Sequence, residues 1–182
     1  MKHPITARLG AALTAVILVC SFSGRAWAGE GLGIQQASKL CNGEHEETSD
    51  QIIEGCTRVL QYGNAAFGGV KYAYVNRGYA YRDKGQCELA LADFNKAISL
   101  RADKPRHYRG RATVFLCLKR YDEALADLNS AIEKDPADAW SYLYRGRVYL
   151  AKGDRAHAQT DFDRAAKLDP DLAETAAKEL AT

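Results

Sequence analysis

Five cysteines are the residues best equipped for chemistry: Cys20, Cys41, Cys56, Cys87 and Cys117. Cys87 poses the question most sharply. It stands in "NRGYAYRDKGQCELALADFNKAI" (76–98), just past Lys84-Gly85-Gln86, where a second helix should begin. A cysteine there is a reactive thiol, a metal ligand, half of a disulfide or filler. No C-x-x-C is present to support a thioredoxin-type redox site. No cysteine and histidine cluster has zinc-finger spacing. The stretch "GEHEE" (43–47) gathers His45 with Glu44, Glu46 and Glu47, which reads as a loose metal site or a solvated acidic loop. His107 and His157 are single. There is no serine–histidine–acid set, no phosphate-cradling glycine loop and no recognisable carboxylate pair. No feature argues for an enzyme, and no cofactor or metal is expected. The alternative is an exported thiol- or metal-dependent enzyme using a free cysteine or His45.

The N-terminus bears on that choice. Lys2 and Arg8 precede an apolar run, "AALTAVILVC" (11–20), and Ala26 and Ala28 flank Trp27 as an A-x-A signal. This is the layout of a secretory signal peptide over 1–28, cut between Ala28 and Gly29. The uncharged stretch from Leu9 to Gly24 falls short of the ~18–20 apolar residues of a membrane span. Val19 before Cys20 argues against a lipoprotein signal. Losing Lys2, Arg8 and Arg25, and no acid, turns a formal charge of +2 into −1. Such a chain has no net positive charge to recruit nucleic acid or an anionic membrane. Four cysteines remain, and an even number in an exported chain reads as a disulfide framework with three possible pairings.

The elements around those residues repeat. Residues 71–104, 105–138 and 139–172 align without a gap in a register of 34. Aromatics recur at Tyr74, Tyr108 and Tyr142 and at Tyr81, Phe115 and Tyr149. Small residues recur at Gly78, Ala112 and Gly146, with alanine at 90, 124 and 158 and again at 97, 131 and 165. Large apolar residues recur at Phe94, Leu128 and Phe162, and Pro136 and Pro170 close two copies. Each copy carries two stretches of helical periodicity. The spacing predicts helices over 71–84, 87–101, 105–118, 121–134, 139–152 and 155–168. Asp122 and Asp154 suit helix starts, and "KDP" and "LDP" suit helix stops. Residues 173–182 read as a short amphipathic capping helix.

This pattern resembles the tetratricopeptide repeat (TPR) family. The resemblance implies an all-α fold, a right-handed superhelical stack of helix-turn-helix hairpins with a C-terminal capping helix. Upstream, 29–70 reads as a degenerate repeat and linker. "DQIIEGCTRVLQ" resembles a second helix with Cys56 at the place of Phe94, and 33–46 reads as a shortened first helix containing Cys41. The "FGG" at 67–69 reads as a linker. Where many such repeats carry leucine, this chain has Arg77, Arg111 and Arg145, each followed sixteen residues later by Asp93, Asp127 or Asp161. These read as arginine–aspartate pairs tying the two helices of each hairpin, costly to break from one side. In an antiparallel stack, Cys87–Cys117 is a reasonable bridge between copies and Cys41–Cys56 a reasonable one within the degenerate copy. The resemblance leaves the pairing open.

The family implies non-catalytic recognition of a protein or peptide in a concave groove lined by the first helix of each hairpin. Carried onto this sequence, the groove positions include Tyr72, Asn76, Tyr79, Arg106, Arg109, Trp140, Tyr144 and Arg147, with Val75, Arg82, Gly110, Thr113, Leu116, Leu143 and Leu150. That lining is aromatic and basic, which suits an acidic or carboxylate-bearing segment. The family's clamp for a free C-terminal carboxylate is only partly matched: Asn76 has the place and type, Gly110 and Thr113 do not. The expectation is an adaptor in the bacterial periplasm. Its partner's identity and its oligomeric state stay open.

Overall fold

The computed structural model describes residues 23–43, 47–62, 70–100 and 104–181. The leader before Ser23, His45 with its flanking glutamates Glu44 and Glu46, and the 67–69 linker lie outside the described residues. Those that are described form helices and no strand: α1 (Ser23–Asn42), α2 (Ser49–Tyr62), α3 (Val70–Asp83), α4 (Cys87–Ser99), α5 (Pro105–Cys117), α6 (Tyr121–Lys134), α7 (Ala139–Ala151), α8 (Arg155–Leu168) and α9 (Ala173–Ala181). Consecutive helices pair as hairpins α1/α2, α3/α4, α5/α6 and α7/α8, and α9 covers α8. The odd-numbered helices also touch one another from one hairpin to the next. They therefore form the inner, concave side of the superhelical stack.

The hairpins of the regular copies close on small residues. Ala90, Ala97, Ala124, Ala131, Ala158 and Ala165 are fully buried, as are Leu128 and, to 1% or less exposure, Phe94 and Phe162. A methyl group at Gly78 would lie 3.1 Å from the Phe94 ring, and one at Gly146 2.6 Å from the Phe162 ring. The middle copy has Ala112 against the smaller Leu128, so the two positions fill one volume together. Each turn reverses the chain through one residue of positive φ: Gly85 (72°), Lys119 (58°) and Gly153 (82°). The amide three residues past each of α3, α5 and α7 has a backbone partner five residues back: Gln86 N–H donates to the Tyr81 carbonyl, Arg120 to Phe115 and Asp154 to Tyr149, all at 2.8 Å. Helix-ending carbonyls are satisfied this way.

Two local expectations need correction. The helix expected over 33–46 runs from Ser23 to Asn42, because no proline interrupts it upstream and Gly43, at φ 61°, ends it. Asp122 does not cap α6: Arg120 holds the N-cap place without a side-chain bond, and the Asp122 carboxylate pairs with Lys152 of the next hairpin. Asp154 does cap α8, accepting from His157 N–H at 3.2 Å. That bond, with the His157 ring beside it, holds its carboxyl below the ordinary range. After Asp169, a 3-10 turn (Pro170–Leu172) leads into α9, whose Ala176 and Leu180 pack with Leu172 on the third copy.

Candidate functional site

Two clefts formed by the described residues lie along the concave side. The central one, about 260 Å³, lies among α3, α5 and α7 and is lined by Tyr79, Arg82, Arg109, Gly110, Thr113, Trp140 and Tyr144. The other, about 410 Å³, lies nearer the N-terminus and is lined by Ser38, Cys41, Asn42, Val59, Tyr72, Ala73, Asn76 and Arg106. Of the groove residues expected from the sequence, Tyr79, Arg109, Trp140 and Tyr144 meet in the first, and Tyr72, Asn76 and Arg106 in the second. Arg147 lines neither. It is held by Glu179 of α9 at 2.7 Å and stacks on Tyr144, 5.0 Å from the ring centre. The structure thus adds α9 as a cover over one end of the expected groove.

Packing dictates the floor of the central cleft. Gly110 lets α5 approach α3 and α4 so closely that a methyl group there would lie 2.5 Å from the Phe94 ring and 2.7 Å from the Tyr79 hydroxyl. The polar groups above it are mostly engaged with the protein. Arg82 donates to Asp83 at 2.6 and 2.9 Å and to Thr113 Oγ1 at 3.1 Å, and the Thr113 hydroxyl donates to the Gly110 carbonyl at 2.7 Å. Tyr79 donates to the Arg106 carbonyl at 3.1 Å. Burial pushes the Tyr79 phenol up, while Arg109, Arg82 and Arg106 pull it down. Arg109 Nη1 binds the Asp138 carboxylate, which also accepts from Ser141 at 2.6 Å. Trp140 stands at the rim, 43% exposed, its ring 6.1 Å from that of Tyr144.

In the second cleft, Asn76 Nδ2 donates to the Cys41 carbonyl at 2.9 Å. The one side chain suited to a terminal-carboxylate clamp is therefore engaged with the scaffold. Arg106 and Lys71 each stack on Tyr72, at 5.5 and 5.2 Å.

The arginine–aspartate positions are scaffold. Arg77–Asp93, Arg111–Asp127 and Arg145–Asp161 are two-pronged pairs at 2.7–2.8 Å, with carboxylates 5–8% exposed. These bonds raise each guanidinium pKa above its ordinary value. The third nitrogen of each arginine reaches the preceding hairpin: Arg77 to Thr57, Arg111 to Asn95 and Arg145 to Asn129, at 2.8–3.0 Å. Asn95 and Asn129 escaped the sequence reading, although they recur at the repeat spacing and directly follow Phe94 and Leu128. Asp138 also escaped it, because nothing in the 34-residue pattern marks it.

The chemistry posed by Cys87 is resolved. Cys41 bonds Cys56 and Cys87 bonds Cys117, with Cα separations of 4.5 and 6.4 Å. Cys87 is the first residue of α4 and Cys117 the last of α5, so the start of one helix meets the end of the next. These four cysteines offer no free thiol. Among the described residues, no group of three histidine, cysteine or carboxylate side chains is placed to hold a metal, and no helix is long and apolar enough to cross a membrane.

Two family models, both described as tetratricopeptide repeat, match residues 75–139 and 139–172. With the hairpin stack, they place this chain in the tetratricopeptide repeat family. The chain is 37% identical over 101 residues to human tetratricopeptide repeat protein 13, covering 53% of this chain and 12% of that one. It is 32% identical over 94 residues to the Hsp70-Hsp90 organizing protein of Triticum aestivum, covering 52% and 16%. The chain thus spans less than a fifth of these two relatives. Among solved structures, it is similar to the Arabidopsis OM64 TPR domain (27% identity, 61% of this chain and 93% of that one, TM-score 0.56). It is also similar to the second TPR domain of human RPAP3 in complex with an HSP70 peptide (25%, 59% and 89%, TM-score 0.54). MamA shares the fold over 82% of this chain and 86% of its own at 18% identity, TM-score 0.66.

Proposed function

We propose that this protein is a non-catalytic interaction module that holds an extended segment of a partner protein along its concave side. The observation that carries this reading is the central cleft, where three successive first helices present tyrosine, arginine and an exposed tryptophan. Such side chains dominate binding energy at protein interfaces. The likeness to an organizing protein for two chaperones, and to a TPR domain solved with a chaperone peptide, supports a peptide partner. The leader, and four cysteines joined in two bridges, support export to the bacterial periplasm after removal of 1–28.

The test is capture from envelope extract by the immobilised protein, beside a variant carrying Trp140→Ala and Arg82→Ala. Both changes fall at the cleft and spare Arg109–Asp138 and Arg147–Glu179. A protein retained by the wild type and lost by the folded variant is the expected result. Equal retention by both would sink the groove reading and direct attention to the convex side. For export, the N-terminus of the protein recovered from the envelope is expected at Gly29. Recovery of the uncut chain from the cytoplasm would reject that part.

A further inference from the structure

The groove reading leaves the ligand's chemistry unnamed, and the central cleft narrows it. Its donors can be accounted for one by one. All three guanidinium nitrogens of Arg82 bond Asp83 and Thr113. The hydroxyls of Thr113 and Tyr79 donate to backbone carbonyls. Arg109 differs. Only its Nη1 is engaged, by Asp138. Its Nε and Nη2 make no hydrogen bond with the described residues. Neither is a buried orphan, since the one such atom among the described residues is Arg147 Nε. Both atoms therefore keep contact with solvent on a residue that lines the cleft, and together they form the two-pronged fork that matches a carboxylate.

The nearby acids do not use it. Asp138 is 11% exposed and already serves Arg109 Nη1 and Ser141 while standing at the N-terminus of α7, whose dipole favours its charge. Asp83 is half exposed and bound by Arg82. Beside the fork, the exposed face of Trp140 is the large apolar surface the fold leaves uncovered at this cleft. Tyr79, which lines this cleft, donates to the backbone carbonyl of Arg106, which lines the second, so the two clefts are neighbours along the groove.

Resting on the groove reading, we propose that the central cleft binds an internal acidic residue of the partner together with an adjoining large apolar side chain. The carboxylate sits on the Nε/Nη2 edge of Arg109 and the apolar group on Trp140. A chain terminus is not required, since one fork holds one carboxylate and the Asn76 amide is occupied by Cys41.

The test uses three acetylated Gly-Ser octapeptides: one with a central Leu-Glu and an amidated end, one with Leu-Gln and an amidated end, and one with Leu-Gln and a free carboxylate. Binding is followed through the Arg109 Nε–H and Trp140 indole N–H signals of the whole nitrogen-15-labelled protein. The expected result is that the Leu-Glu peptide shifts both signals and binds about tenfold tighter than either Leu-Gln peptide. Arg109→Lys, which keeps a charge beside Asp138 but lacks the fork, is expected to erase most of that preference. Equal binding of the Glu and Gln peptides would overturn the proposal and leave the groove reading standing. Equal binding of the Glu peptide and the free-carboxylate peptide would do the same. If no peptide moves either signal, the proposal falls, and the capture experiment alone decides the groove.

Discussion

The N-terminal hairpin and the three regular copies solve one packing problem with different chemistry. In each regular copy, an arginine on the first helix grips an aspartate on the second, and a small residue next to that arginine receives the large apolar residue next to that aspartate. Arg77, Gly78, Asp93 and Phe94 make one such set. In the N-terminal hairpin, Leu40 and Cys41 face Gly55 and Cys56. A methyl group at Gly55 would lie 2.6 Å from Leu40 Cβ and 2.7 Å from the Ala37 carbonyl oxygen, while Cys41 bonds Cys56. The equivalence is fixed from outside the hairpin: Arg77 holds Thr57, directly after Cys56, as Arg111 holds Asn95, directly after Phe94. A covalent bond and bare helix contact thus stand where the other copies use an ion pair and a packed ring or leucine. The first helix also ends one residue after its core contact in α1 but five residues after it in α3. Past that contact α1 has little helix left, and the disulfide holds its end.

The largest expected effect comes from breaking one ion pair on one side. Arg111→Met leaves the Asp127 carboxylate, 8% exposed, without its counter-charge. The expected loss is about 3 kcal/mol, at the low end of the range for buried pairs because the arginine is itself one-fifth exposed. Adding Asp127→Leu is expected to restore stability to within about 1 kcal/mol of wild type. Urea unfolding measures both. A double variant as unstable as the single one would mean that the pair holds the hairpin together rather than setting its register.

Next comes the staple. Replacing Cys41 and Cys56 by serine opens a loop with a sequence separation of 15 residues and is expected to cost about 3 kcal/mol. The loss should be local, because α2 meets the rest of the stack chiefly through α3. Hydrogen exchange is expected to accelerate over 49–62 and leave α6 and α8 protected. Uniform acceleration along the chain would show that the N-terminal hairpin folds as one unit with the regular copies.

These contrasts explain what was legible in the sequence. The 34-residue register predicted the helix bounds to within two residues over 70–168, because each position meets the same environment three times. Cys56 at the place of Phe94 was readable for the same reason. The site was less legible. The register names the backbone positions that look into the groove, but long polar side chains answer to local partners. Asn76 turns to the Cys41 carbonyl, Arg109 to Asp138 and Arg147 to Glu179, none of which belongs to the repeating pattern. Groove membership was a property of the repeat, whereas the availability of each donor depended on residues at its margins.

The smallest effect tests whether the small and large positions form one packing unit. Gly146→Ala places a methyl group 2.6 Å from the Phe162 ring, which must shift, at an expected cost of about 1–3 kcal/mol. Phe162→Leu alone removes buried ring volume and is expected to cost about 1 kcal/mol. Together they reproduce the Ala112–Leu128 pairing of the middle copy, so the double variant is expected to be more stable than the Gly146→Ala protein. Gly55→Ala has no such rescue, because its neighbours are Leu40 Cβ and the α1 backbone, which cannot be trimmed. If the Gly146 cycle proved additive instead, the copies would accept either residue independently. The match of glycine with phenylalanine and alanine with leucine would then have no packing origin.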